Sequence, residues 1–190
     1  MTAQRPKSLD AADSHGRIVR AQFVWHHDRF AHTISVVAEG RSIPLLASHE
    51  GQPDEPWPTS PPLQSLSIEP GAAGPVALLV GMAGDAHWSL SVATEAGAAA
   101  LLFDVACRAK SPPDYLGSRY RTMVEPHGAN GTLLLPVLDS HLKVSLLPSD
   151  ATPAHVQLTG DGFGIVVDSG EANSLPRTFR WKYRVALADE

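Results

Sequence analysis

The chain has 190 residues, with 15 Lys plus Arg against 20 Asp plus Glu, a formal charge of −5 with histidine neutral. At 43% hydrophobic and 18% charged it can bury a sizeable core, which excludes disorder as the global state and fits one ordinary domain. Gly (15) and Pro (16) punctuate it without a G-X-Y period, excluding collagen and long-helix folds, and a single cysteine, Cys107, excludes an internal disulfide framework or a cysteine-based zinc cluster.

Residues 1 to 17 mix Arg5, Lys7, Asp10, Asp13 and Arg17 and lack the apolar segment of a targeting signal. Residues 1–16 therefore read as a disordered N-terminal arm, and 17–190 as a single domain. No later window offers the roughly 18 apolar residues a membrane-crossing helix needs, so the expectation is a reduced, cytoplasmic protein without a membrane partner.

From Arg17 the dominant signal is alternation with period two, the mark of strands with one buried face. Arg17 to Trp25 and Phe30 to Val37 form two such runs around a turn at His26, His27, Asp28 and Arg29. The expected pairing sets Trp25 against Phe30, Phe23 against His32 and Val19 against Val36. A third strand runs from Arg41 to about Ala47, where Pro44 calls for an edge or a bulge. The segment 52–62 holds Pro53, Pro56, Pro58, Pro61 and Pro62 and reads as an extended crossover pinned by Trp57. Its PxxP spacing is a common pattern and carries no peptide-motif assignment.

Leu63 to Glu69 alternates, and Val76 to Met82 is apolar on both faces, as a central strand would be. Gly81 to Asp85 is a turn without the features of a phosphate loop. His87 to Lys110 reads as a hairpin turning near Ala96 and Gly97. A two-residue turn sets Val92 opposite Leu101, Leu90 opposite Phe103 and Trp88 opposite Val105, with Ser89 opposite Asp104 on the other face. Cys107 shares the core face with Phe103 and Val105. A loop at 111–131 precedes strands at Thr132 to Leu138, His141 to Leu147, His155 to Thr159 and Gly164 to Asp168, with a short helix near Pro136 to Leu142 as an alternative. In the last run Phe179, Trp181, Tyr183, Val185 and Leu187 take one face, and Arg180, Lys182 and Arg184 the other.

Roughly nine to eleven strands without a convincing helix define an all-β protein, an antiparallel β-sandwich or a partly closed barrel. Sandwiches host many functions, so function must be read from side chains. His87, Ser89 and Asp104 converge in the register above and are the candidate catalytic group of a hydrolase, His87 as base, Ser89 or water as nucleophile, Asp104 as orienting carboxylate. No oxyanion loop adjoins them. His26, His27, Asp28 and His32 are the densest histidine group, but their spacing splits them between turn and core, so no metal or other cofactor is assigned. The net negative charge argues against nucleic acid as a partner.

The reading the residues support first is a binding or interaction module. Its contacts are the 112–121 loop, through Tyr115, Arg119, Tyr120 and Arg121, and the basic ladder Arg180, Lys182 and Arg184, facing an acidic protein or a phosphate-bearing ligand. The alternatives are the hydrolase just described and a barrel holding an apolar small molecule among Trp88, Phe103 and Trp181.

Overall fold

The computed structural model describes residues 5–128, 131–148, 152–170 and 174–188, so residues 1–4 of the expected arm lie outside the described residues. Sheet A has seven strands in the order β1 (Lys7–Ala12), β2 (Ile18–His26), β3 (Arg29–Ala38), β4 (Arg41–Ser48), β9 (Gly117–Thr122), β13 (Gly162–Val167) and β12 (Ala154–Thr159). Sheet B has seven in the order β10 (Thr132–Val137), β11 (Ser140–Leu147), β14 (Arg177–Ala188), β8 (Ala100–Ala109), β7 (Ala86–Thr94), β6 (Gly74–Ala83) and β5 (Ser65–Gly71). Every neighbouring pair is antiparallel. The fold is a sandwich, not a closed barrel, because each sheet keeps two free edges. Among the described residues no helix is long and apolar enough to cross a membrane.

The strand count exceeds the nine to eleven read from sequence because two short strands were hidden among charges. β1 lies inside the expected arm. Its Asp10 sits opposite Arg20 of β2 and pairs with it at 2.6 Å, while Leu9 and Ala11 are buried. The charges that made this segment look solvated are half of a cross-strand ion pair. β9 lies inside the expected 111–131 loop and runs through the middle of sheet A, between β4 and β13.

The β2–β3 hairpin has the expected register: Trp25 faces Phe30, Phe23 faces His32 and Val19 faces Val36. Pro44 sits at a bulge, opposite Ser35 while Leu46 is opposite Ile34. β4 is nevertheless internal, and Pro44 is tolerated because only Leu46 to Ser48 pair with β9. In the β7–β8 hairpin the faces are as expected but the partners are shifted by two: Val92 faces Phe103, Leu90 faces Val105 and Trp88 faces Cys107. The loop spans Glu95 to Ala99, with Gly97 at φ 72°, instead of two residues. Between β10 and β11 the chain turns tightly at Leu138, φ 50°, where a helix was the alternative.

Phe23, Ile34 and Val36 of sheet A meet Trp88, Val92, Phe103, Val105, Phe179, Trp181 and Tyr183 of sheet B, all nearly fully buried. Burying one such side chain stabilises the fold by roughly 1.5–3 kcal/mol. Trp88 meets Trp181 edge-on at 6.2 Å, and Phe103 stacks on Tyr183 at 4.8 Å. The proline-rich crossover is pinned as expected, Trp57 being buried and edge-on to Trp88 at 6.4 Å. β6 is internal, and its outward residues Leu78, Val80 and Met82 are exposed.

Candidate functional site

The outer face of sheet B does not assemble the expected catalytic group. The shifted hairpin register sets Ser89 opposite Ala106 and His87 opposite Arg108, and brings Asp104 opposite Ser91. On its other side Asp104 faces Lys182 of β14. Its carboxylate accepts a two-pronged contact from Arg180 and a third from Lys182 Nζ at 3.0 Å. Burial opposes ionisation there, but these cations outweigh it and hold the carboxyl below its ordinary range. Among the described residues no hydrogen bond joins His87, Ser89 and Asp104.

The same contacts change the meaning of the basic ladder. Arg180 and Lys182 share Asp104, and Arg184 pairs with Glu95 at 2.8 Å. The ladder carries its own counter-ions, which leaves little charge to offer an acidic partner.

The 112–121 group divides across sheet A. Alternation along β9 sends Ser118 and Tyr120 inward and Arg119 and Arg121 outward. Tyr115 is half-buried, with its hydroxyl where a Cβ on Gly117 would come within 2.6 Å. Arg119 pairs with Asp161 at 2.9 Å, whereas Arg121 is exposed and has no ion pair among the described residues. Tyr120 was expected at a recognition surface, but it is a core residue, 1% exposed. A loop would have left it free to face solvent; a strand in mid-sheet fixes its side.

Tyr120 belongs to a buried polar network between the sheets. His32, Ser48 and Tyr120 lie in one inward row across β3, β4 and β9. The backbone N–H of His32 donates to Ser48 Oγ at 2.8 Å, and the Ser48 hydroxyl donates in turn to Glu50. His32 Nε2 meets the Tyr120 hydroxyl at 2.7 Å, which meets the Tyr183 hydroxyl at 2.6 Å. The Trp181 indole donates to Ser118 Oγ at 3.1 Å. Burial pushes the Glu50 carboxyl up to about 7, against the smaller opposing effects of Ser48 and Arg29. Burial pushes the His32 imidazole down to about 4. A cavity of about 10 Å³ touches Glu50, Ser60, Ser118 and Tyr183, the room of a single water. Cys107 is buried, and its thiol is pushed up to about 12, where it is unreactive.

The other side of the same row is a cleft. The side chains that alternate outward, Ala31 and Thr33 of β3, Ala47 and His49 around the end of β4, and Arg121 of β9, bound a cleft of about 380 Å³ on the outer face of sheet A. His26 and His27 of the β2–β3 turn and Gln52 of the crossover close its rim. Ala31 and Ala47 are small, so the floor is the sheet itself. The rim is tied together by Arg29, 3% exposed, whose guanidinium pairs with Asp28 and donates to the carbonyls of Glu50 at 3.0 Å and Gln52 at 3.2 Å.

The His26 and His27 rings lie 4.0 Å apart, while His32 is on the opposite side of the sheet. Among the described residues no three His, Cys, Asp or Glu side chains converge as a metal-binding set. His49 Nδ1 is buried with no hydrogen-bond partner. Sequence reasoning missed Ser48, His49 and Glu50, because each lies at a strand end running into the crossover. The one available signal was the alternation of Ser118 and Tyr120 against Arg119 and Arg121. No protein-family model matches this chain, and no curated protein is detectably similar to it.

Proposed function

We propose that the protein is a binding module whose ligand surface is the cleft on the outer face of sheet A. The observation that carries this reading is the contrast in pairing. Arg180, Lys182 and Arg184 of β14 are matched by acids, while the cleft gathers an Arg121 without an ion pair among the described residues and a His49 Nδ1 without a hydrogen-bond partner. Concave sites with a few converging, unsatisfied polar groups are where small ligands bind. The hydrolase reading has lost the geometry that recommended it, since Asp104 is engaged by Arg180 and Lys182. Nor does an apolar ligand find room among Trp88, Phe103 and Trp181, which pack into the space between the sheets.

The test fills the cleft. Ala47→Phe puts a ring on its floor at an outward strand position, where an aromatic residue suits the backbone. A thermal-shift screen of metals, nucleotides, phosphates, sugars and fatty acids against wild type and this variant reads the result. Ligands that stabilise wild type are expected to lose their shift in the filled variant. A ligand that shifts both equally binds elsewhere and overturns the assignment.

A further inference from the structure

The charges around the cleft say which ligand chemistry it favours. Its lining contains Arg121, the four histidines His26, His27, His32 and His49, of which His32 turns its ring inward to Tyr120, and a single acid, Glu50. Glu50 does not turn its carboxyl to the cleft. That group accepts from Ser48 on the inner side of the sheet and borders the interior cavity with Tyr183. The nearest acid of the turn, Asp28, is occupied by both prongs of Arg29. Glu55, outside the lining, accepts from the backbone N–H of Gln52 at 3.0 Å, so the side chains that line the cleft present donors without an acceptor of opposite charge among them.

The arrangement of those donors also has a scale. Arg121 stands opposite Ala47, and His49 follows two residues later on the neighbouring strand. Such diagonal positions are about 7–8 Å apart, within reach of long side chains across the intervening alanine. The imidazoles of the turn approach from the far rim. A flat carboxylate offers two oxygens to one such fork, whereas a phosphate offers three acceptor oxygens in different directions and takes donors from several sides.

We infer that the cleft binds a phosphate group, as the free ion or as the terminal group of a small phosphomonoester, with Arg121 as its principal anchor and His49 and the turn histidines as further donors. This rests on the cleft being the ligand surface. It is independent of Arg180, Lys182 and Arg184 of β14, which are already paired with acids.

The experiment is a titration of the full chain with inorganic phosphate, with glycerol phosphate and with acetate, followed by ¹H–¹⁵N spectra and calorimetry at constant ionic strength. Phosphate and glycerol phosphate are expected to move the amides of 26–33, 47–52 and 120–122, acetate much less. Equal binding of the two phosphates identifies the free ion as sufficient, and tighter binding of the ester identifies an esterified ligand. Arg121→Gln is expected to weaken binding at least tenfold with an unchanged spectrum elsewhere. His49→Ala is expected to weaken it several-fold, and Arg41→Gln, at the far end of β4, not at all. Undiminished phosphate binding by Arg121→Gln overturns the inference, as does a preference for acetate. If phosphate leaves the cleft amides unmoved while another ligand binds wild type and not Ala47→Phe, the phosphate assignment fails and the cleft survives. If every ligand found binds Ala47→Phe undiminished, both fail.

Discussion

Replacing Glu50 by Gln should expose a pH dependence that the wild-type protein conceals. Glu50 has an ordinary value of 4.5 that burial raises to about 7 in the fold. Between those values the folded state holds a proton that the unfolded chain has released. Stability contributed by Glu50 is thus complete at low pH and is lost as pH rises through the window, by about 1.4 kcal/mol per unit and about 3 kcal/mol in all. His32 has the opposite sign. Burial lowers it from 6.5 to about 4, so below 6.5 the unfolded chain takes up a proton that the fold refuses. Its contribution is complete above 6.5 and is lost as pH falls, again by about 3 kcal/mol. The two windows overlap between 4.5 and 6.5, where the opposing slopes cancel. Gln at position 50 can still accept from Ser48 through its amide oxygen, so the variant removes the titration and keeps the hydrogen bond. The assay is urea denaturation in half-unit steps from pH 4.5 to 8. The stability of the variant relative to wild type should rise by about 3 kcal/mol across that range, because groups common to both cancel in the difference. A difference that stays constant across the range would refute the claim that burial raises the Glu50 carboxyl to about 7 in the fold.

Three further outcomes follow from the packing. Tyr120→Phe removes the hydroxyl that joins His32 Nε2 to Tyr183, leaving buried polar groups unpaired, and should cost about 1–3 kcal/mol by denaturant titration without changing phosphate binding. Gly81→Ala would put a Cβ 1.8 Å from the Pro62 carbonyl oxygen, forcing the crossover off β6; a loss of at least about 1–3 kcal/mol is expected, read as a lowered Tm. Cys107 should react with a disulfide reagent only as fast as the fold opens, because its thiol is buried and protonated, and a rapid reaction under native conditions would contradict its position in β8.

What the sequence revealed depended on what each strand had to bury. The β2–β3 register was legible because Trp25, Phe30, Phe23, His32, Val19 and Val36 gather on one face only if the turn is centred on His27 and Asp28. The β7–β8 faces were legible for the same reason, but the partners were not. Sliding one strand by two residues keeps every side chain on its face, so alternation cannot tell Ser89 opposite Asp104 from Ser91 opposite Asp104. Only the turn decides, and Gly97 serves a loop from Glu95 to Ala99 as readily as a two-residue one. The candidate catalytic group depended on that undetermined quantity. β1 and β9 escaped notice because six-residue strands with two inward apolar or polar positions leave too short a pattern.

The cleft was hidden for a different reason. Tyr120 and Arg121 were grouped as neighbours in one recognition loop, yet adjacent residues on a strand face opposite sides of a sheet. Placing β9 between β4 and β13 sends Tyr120 into the His32 network and Arg121 to the outer cleft. The step from His49 to Glu50 divides in the same way: His49 borders the cleft, and the Glu50 carboxyl turns inward to Ser48. A single row of backbone therefore separates two kinds of chemistry, with burial setting the proton affinities on one side and the donors of the cleft gathered on the other. Substitutions on the inner side should move stability and its pH dependence, and those on the outer side should move ligand affinity. If Arg121→Gln altered the pH profile of unfolding as much as Glu50→Gln, the two sides would not be insulated by the sheet, and assigning binding to the outer face alone would fail.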